Sequence, residues 1–245
     1  MIPWIAPHEP FPPVESALTD PNGLLCAGQH LHVHQLIDAY EHGIFPWYSE
    51  NEPIVWWSPD PRLVLRPEQF KVSRSLRKQI HHFCANPNVE VVLDRDFAQV
   101  MRCCAAPRAT QAGTWITPQI MRAYGQLHAQ GLAHSVEVWT QGQLVGGLYG
   151  VALGRMFYGE SMFARQTDAS KIALATLVQI ARQERVALID CQQETSHLKS
   201  LGAQTLSRKI FCNHVHNATR DAPIDWNAYA GRDLKPLLNS LLDSL

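Results

Sequence analysis

The sequence predicts an α+β protein, with a small N-terminal domain over residues 1–65 and a larger domain over residues 66–245 built on a mixed, mainly antiparallel sheet flanked by helices. Three observations predict it. The first ~60 residues are rich in Pro, Gly and Trp, which favour turns and short elements. From Leu63 the character changes to sustained helical and alternating periodicities. The elements of that second part follow the order helix, strand, strand, strand, helix, strand, helix, with short links that suit antiparallel neighbours.

In the N-terminal part the spacing predicts one helix, roughly Val33 to His42, with Gly43 as its C-cap. The stretch from Phe45 to Arg62 holds three tryptophans among prolines and reads as loop or edge structure, because Pro cannot donate to a central ladder. Beyond it, Ser73 to His82 reads as a basic helix and Val89 to Leu93 as a strand. Asp94 or Asp96 is placed to cap a helix running to about Ala105. Thr117 caps another, with Pro118 at its first position, ending near Gly131. His134 to Trp139 alternates as a half-buried strand, Gln141-Gly142-Gln143 makes a hairpin turn, Leu144 to Ala152 returns, and Arg155 to Tyr158 forms a third strand after a turn at Gly154. Ala169 to Glu184 is a long amphipathic helix. Ala187 to Asp190 is a short apolar strand, and a helix from about Thr195 reaches Leu201 and Gly202. This arrangement is similar to the acyltransferase fold of the acetyl-CoA-dependent N-acetyltransferases (GNAT-type).

The composition bounds the function classes. Of 245 residues, 46% are hydrophobic and 18% charged, the balance of an ordinary globular protein, and no apolar run is long enough to span a membrane. The net charge of −1 argues against a dedicated nucleic-acid module, although it leaves room for a local basic patch. Met1 to Pro13 carries no Lys or Arg and is broken by five prolines, so it reads as neither a secretory signal nor a transit peptide. The six cysteines form no C-x-x-C pair, and Cys103 and Cys104 are adjacent, so reduced thiols in a cytosol are expected.

Specificity enters with four motif groups: Pro21-Asn22-Gly23-Leu24-Leu25; Phe45-Pro46-Trp47-Tyr48 with Trp56-Trp57-Ser58-Pro59-Asp60-Pro61-Arg62; Gly113-Thr114-Trp115-Ile116-Thr117; and Gly146-Gly147-Leu148-Tyr149-Gly150 followed by Phe157 to Phe163, Ala169-Ser170-Lys171 and Leu188-Ile189-Asp190-Cys191-Gln192. Together, in order, from about Pro12 to Phe211, these resemble the leucyl/phenylalanyl-tRNA–protein transferases. The resemblance implies transfer of Leu, Phe or sometimes Met from aminoacyl-tRNA to proteins that begin with Arg or Lys. That new N-terminus marks the protein for degradation in the bacterial N-end rule pathway. A monomer is the default for that family type, and a cytoplasmic location follows from the reduced thiols expected above. Because the tRNA ester is already activated, no ATP, cofactor or metal is expected.

Ester aminolysis requires a neutral attacking amine, stabilisation of the carbonyl oxyanion and a proton for the leaving ribose oxygen. An α-amine has a pKa of ~8, so a nearby carboxylate that takes its proton is useful. Asp190, at the end of an apolar strand, is the first choice, with Gln192 on the same face of an extended chain. The matching family residues are proposed to act together on the attacking amine. Glu160, following Gly159 after a strand, is expected near the aminoacyl group by resemblance. Recognition of the acceptor's Arg or Lys by Asp190 and Glu160 is the rival role. Leu148, Met162, Leu174, Ile189 and Gly159 match family positions lining the apolar slot for the donor side chain; on composition alone the four apolar side chains would be core. Trp47 and Trp115 match the tryptophans near the 3′-terminal adenosine. A basic run of Arg62, Arg66, Lys71, Arg74, Arg77 and Lys78, the last three at i, i+3, i+4, is expected to meet tRNA phosphates.

Other signals point nowhere. His30-x-His32-x-His34 and Cys212-x-His214-x-His216 lack the ligand spacing of a closed zinc site. Cys191 has no adjacent His, and the chemistry needs no covalent step. Gly146, Gly147 and Gly150 suggest bulges or close ligand approach, and Gln143 to Leu148 lacks the last small residue of a pyrophosphate loop, which disfavours an acetyl-CoA-dependent acyltransferase. A noncatalytic binder of tRNA or of protein N-termini is the reading of a different class; Asp190, Gln192 and Glu160 beside an apolar slot favour catalysis.

Overall fold

The computed structural model describes residues 2–106 and 114–243. Gly113, the first residue of the Gly113 to Thr117 motif, lies outside the described residues.

The N-terminal part forms a four-stranded sheet from β1 (Trp4–Ile5), β2 (Leu24–Gly28), β3 (Phe45–Pro46) and β4 (Ile54–Trp57), in the order β1-β2-β4-β3. Helix α1 (Val33–Glu41) lies between β2 and β3 in sequence and ends where Gly43 takes a positive φ of 73°. The expectation of loop or edge structure for the tryptophan-rich stretch holds for β3, an edge strand that tolerates Pro46. It fails for β4, an inner strand: Pro53 and Pro59 flank it, so its own four residues keep every ladder donor.

The larger sheet has seven strands: β5 (Arg62–Leu65), β6 (Val89–Leu93), β7 (Ala133–Thr140), β8 (Gln143–Leu153), β9 (Met156–Ala164), β10 (Ile189–Gln192) and β11 (Gln204–Leu206), in the order β11-β5-β10-β9-β8-β7-β6. All pairs are antiparallel except β9 with β10, so the sheet is mixed and mainly antiparallel. Strand β5, within residues 1–65, pairs in this sheet. The helices are α2 (Arg74–Ala85), α3 (Phe97–Ala105), α4 (Pro118–Ala129), α5 (Ala169–Gln183), α6 (Ser196–Ser200), α7 (Arg208–Ala218) and α8 (Lys235–Asp243). Ser73, Asp96, Thr117 and Thr195 each accept a backbone N–H at the start of a helix, which is why these helices begin where they do.

Alternation along β6, β7 and β8 sends successive side chains to opposite faces. Val91, Val136, Val138 and Leu148 join α2, α5 and α8 in one core; Tyr149 and Val151 join α3, α4, α1 and the four-stranded sheet in the other. The N-terminal elements therefore share their core with one face of the large sheet. Gly146 lies beneath Ala169, where an added Cβ would come within 2.4 Å of the alanine methyl, so this glycine serves close packing of α5 on β8.

Two register shifts shape the centre. Between β8 and β9, Tyr149 opposes Ser161 and Gly150 opposes Gly159, leaving Glu160 as an extra residue. Strand β9 thus runs on through Glu160 to Ala164, beyond the end expected at Tyr158, because the bulge interrupts its alternation without ending it. In β10 a second shift leaves Cys191 extra between Asp190 and Gln192, and Gln192 takes φ 59°. Asp190 and Gln192 are therefore not two residues on one face of a regular extended strand.

Candidate active site

The parallel ladder between β9 and β10 covers only Phe157 with Ile189 and Tyr158 with Asp190. Beyond it lies a cavity of about 560 Å³. Leu148, Met162, Leu174, Leu177 and Ile189 form an apolar part of its lining, and Gly159, Glu160, Asp190 and Gln192 also line it. Gly159 passes close to the backbone of β10: a Cβ there would lie 3.3 Å from the Asp190 carbonyl oxygen. Trp47 and Trp115 line the same cavity. Trp47 is 40% exposed and meets Trp57 edge-on at 5.7 Å, with its carbonyl accepting the Trp57 indole N–H at 2.8 Å.

The two carboxylates have different surroundings. Asp190 is wholly buried and held in a fork by Arg62, whose Nε and Nη2 donate to its two oxygens at 2.8 and 2.6 Å. The Gln192 backbone N–H donates to the same carboxylate at 2.9 Å. Arg62 is equally buried, sandwiched between the rings of Phe45 and Phe211 at 4.7 and 4.6 Å, and its Nη1 donates to the Gly43 carbonyl. Burial works against the guanidinium charge, and the Asp190 carboxylate more than offsets it. Arg62 is thus removed from the basic run expected to meet tRNA: a strand position facing the core buries it, and its partner is 128 residues away.

Glu160 is bonded only by neutral groups among the described residues. The Tyr40 hydroxyl donates to Oε1 at 2.7 Å, the Tyr124 hydroxyl to Oε2 at 3.1 Å and the Gln192 amide Nε2 to Oε1 at 2.8 Å. The Tyr158 hydroxyl anchors α1 by donating to the Tyr40 carbonyl at 2.8 Å. Burial pushes the Glu160 carboxyl up to about 7, against the pull of the two tyrosine hydrogen bonds. The same burial raises Tyr40 and Tyr124 well above the ordinary phenol range, so both stay protonated donors. Glu160 is therefore poised to exchange a proton near neutrality.

Sequence reasoning missed Tyr40, Tyr124 and the Arg62 pairing, since an isolated Tyr or Arg in sequence is indistinguishable from core or surface. Leu177 was legible: it lies one turn beyond Leu174, on the same face of α5. Cys191 lines the cavity, but burial raises its thiol far above the reactive range. Arg74 and Lys78 are exposed on α2, Arg77 is half-buried, and none lines the cavity. Among the described residues no group of three or more His, Cys, Asp or Glu is arranged to hold a metal ion, and no helix is long and apolar enough to cross a membrane.

Comparison with known proteins identifies the family of the sequence. A family model described as Leucyl/phenylalanyl-tRNA protein transferase matches residues 64–216, and one described as the N-terminal domain of that transferase matches residues 29–60. The leucyl/phenylalanyl-tRNA–protein transferase of Burkholderia vietnamiensis (strain G4 / LMG 22486) is 57% identical over 230 residues, covering 92% of this chain and 91% of that one. Its namesake from Paraburkholderia xenovorans (strain LB400) is 54% identical over 230 residues, covering 92% and 94%. Among solved structures, a GCN5-related N-acetyltransferase from Kribbella flavida aligns with a TM-score of 0.36 and 12% identity over 68% of this chain and 58% of that one. The chain belongs to the leucyl/phenylalanyl-tRNA–protein transferase family.

Proposed function

We propose that this protein is an aminoacyltransferase that moves Leu or Phe, and also Met, from aminoacyl-tRNA to the α-amino group of proteins beginning with Arg or Lys, as a cytoplasmic monomer of the bacterial N-end rule pathway. The observation that carries the reading is a buried carboxylate, Glu160, with no cation in contact among the described residues, facing a cavity with an apolar wall and two tryptophans. The donor side chain fills the slot of Leu148, Met162, Leu174, Leu177 and Ile189, where burying a Leu contributes about 1.5–3 kcal/mol. The terminal adenosine stacks on Trp47 and Trp115, and the exposed Arg74 and Lys78, with Arg77, hold phosphates farther along the tRNA.

The attacking ammonium passes one proton to Glu160, and its nitrogen forms the new bond to the ester carbon. As the tetrahedral intermediate collapses, the bond to the ribose oxygen breaks, that oxygen takes the proton from Glu160, and the nitrogen releases its second proton to solvent, which leaves a neutral amide and an ionised Glu160. The ester is already activated, so the step needs no ATP. Asp190, engaged by Arg62, acts as a positioning residue: through the Gln192 N–H it fixes the turn that carries the Gln192 amide to Glu160. Incubation with Phe-tRNA and an Arg-initiated peptide tests the reading. Phenylalanyl-peptide must accumulate without ATP or added metal; its absence, with intact donor recovered, refutes the assignment.

A further inference from the structure

Tyr149 also lines the cavity, is wholly buried, and its hydroxyl has no hydrogen-bond partner among the described residues. A phenol buried without a partner costs stability that a Phe of the same shape would not. Its ring packs edge-on against Tyr124 at 6.0 Å and Phe97 at 5.8 Å, both contacts that a Phe would keep. The ring therefore belongs to the core, while the oxygen finds no hydrogen-bond partner among the described residues.

We propose that the Tyr149 oxygen is the second acceptor for the attacking amine, a catalytic residue beside Glu160 in aminoacyl transfer. This inference rests on the function proposed above. A carboxylate offers about four lone-pair sites, and Tyr40, Tyr124 and Gln192 claim at most three on Glu160, the two tyrosine hydroxyls also sharing a hydrogen bond with each other at 2.5 Å. At least one remains, whereas an ammonium brings three N–H groups. Tyr149 supplies two unused lone pairs in the field of the same carboxylate, where a cation is favoured and an oxyanion is not. Strand alternation sets which amine it reaches. Leu148 faces the core of α5 and the donor slot, and Tyr149 projects from the opposite face of β8, toward α3 and α4. The amine on that side is the incoming one, not the α-amine of the slotted donor. Once Glu160 has taken its proton, the Tyr149 contact holds the neutral nitrogen with its lone pair toward the ester carbon.

The test compares wild type with Tyr149→Phe. The KM for an Arg-initiated peptide is expected to rise about tenfold, the value of one hydrogen bond to a charged group. Affinity for a non-reactive amide-linked phenylalanyl-adenosine is expected to stay within twofold, and Tm to hold or rise. An unchanged peptide KM overturns the proposal, as does an equal loss of donor-analogue affinity or a fall in Tm, since each gives the hydroxyl another partner. A donor carrying an α-hydroxyl in place of its α-amine must show the same tenfold effect; disappearance of the effect reassigns Tyr149 to the donor. Should Tyr149→Phe fail to fold, replacement of Tyr149 by a fluorinated tyrosine, which keeps the ring and weakens the oxygen as an acceptor, must raise the peptide KM by a smaller factor, and an unchanged KM refutes the assignment. Wild-type protein inactive with Phe-tRNA would instead refute the function itself.

Discussion

Replacing Glu160 with Gln removes a proton-binding group while keeping its shape, and the structure fixes the sign of the change in stability. The folded protein holds the Glu160 proton at about 7, against 4.5 for a free side chain. At about 1.4 kcal/mol per tenfold difference in proton affinity, this corresponds to about 3 kcal/mol. The folded pKa is raised, so the native state binds the proton more tightly than the unfolded chain. That contribution is fully present below 4.5 and is lost as pH climbs through 7. Wild type should therefore lose about 3 kcal/mol between pH 4.5 and 7.5 relative to Glu160→Gln, whose amide does not titrate. Urea denaturation at a series of pH values measures both curves. Glu137, also raised by burial, slopes the same way, and His197 and His214, lowered by burial, slope oppositely. All three are common to both proteins and cancel in the difference.

The same variant separates catalysis from folding. If Glu160 takes the amine proton, wild-type kcat/KM with an Arg-initiated peptide rises through a limb near 7. Glu160→Gln should lose about 10²–10⁴-fold in transfer rate while melting no lower than wild type at pH 8. A difference curve flat between pH 4.5 and 7.5, or a variant with wild-type turnover, refutes the reasoning.

Asp190→Asn strands the Arg62 charge in the core and should cost about 3–5 kcal/mol by urea denaturation; a variant as stable as wild type would show that the pair is not closed in solution. Trp47→Ala should weaken donor binding by about 1–3 kcal/mol in a fluorescence titration, with peptide KM unmoved. Arg74→Ala with Arg77→Ala should flatten the plot of log tRNA affinity against log salt by about two contacts' worth, and an unchanged slope removes this face of α2 from the interface.

Local signals carried much of the fold. The caps at Asp96, one of two candidates, and at Thr117 and the alternation of β7 are short-range chemistry and appear as expected. Ser73 and Thr195, expected as first helical residues, instead cap their helices, and β7, expected half-buried, is buried on both faces from Ala133 to Trp139. Strand β4 was hidden because its prolines lie just outside it, and the continuation of β9 because a bulge breaks the period at the residue with a candidate function. The cavity gathers the motif residues Glu160, Asp190, Gln192, Trp47 and Trp115, which the sequence singled out from positions far apart. The partners were not legible. Tyr40 reaches Glu160 from α1 across 120 residues, and Arg62 reaches Asp190 across 128, and no local pattern encodes pairings of that range.

Those long-range partners give the two buried carboxylates of one cavity different neighbours. A cation on Glu160 like the one on Asp190 would hold its proton affinity down and leave a carboxylate too weak to take a proton from an ammonium near neutrality. Neutral phenols orient the Glu160 oxygens without supplying that charge, so burial dominates and the affinity rises to match the task. The cost is a group that destabilises the fold whenever it is ionised. Under the proposed function an incoming ammonium would compensate it at the step where the proton must move, which would tie the weakness of the free protein to its chemistry.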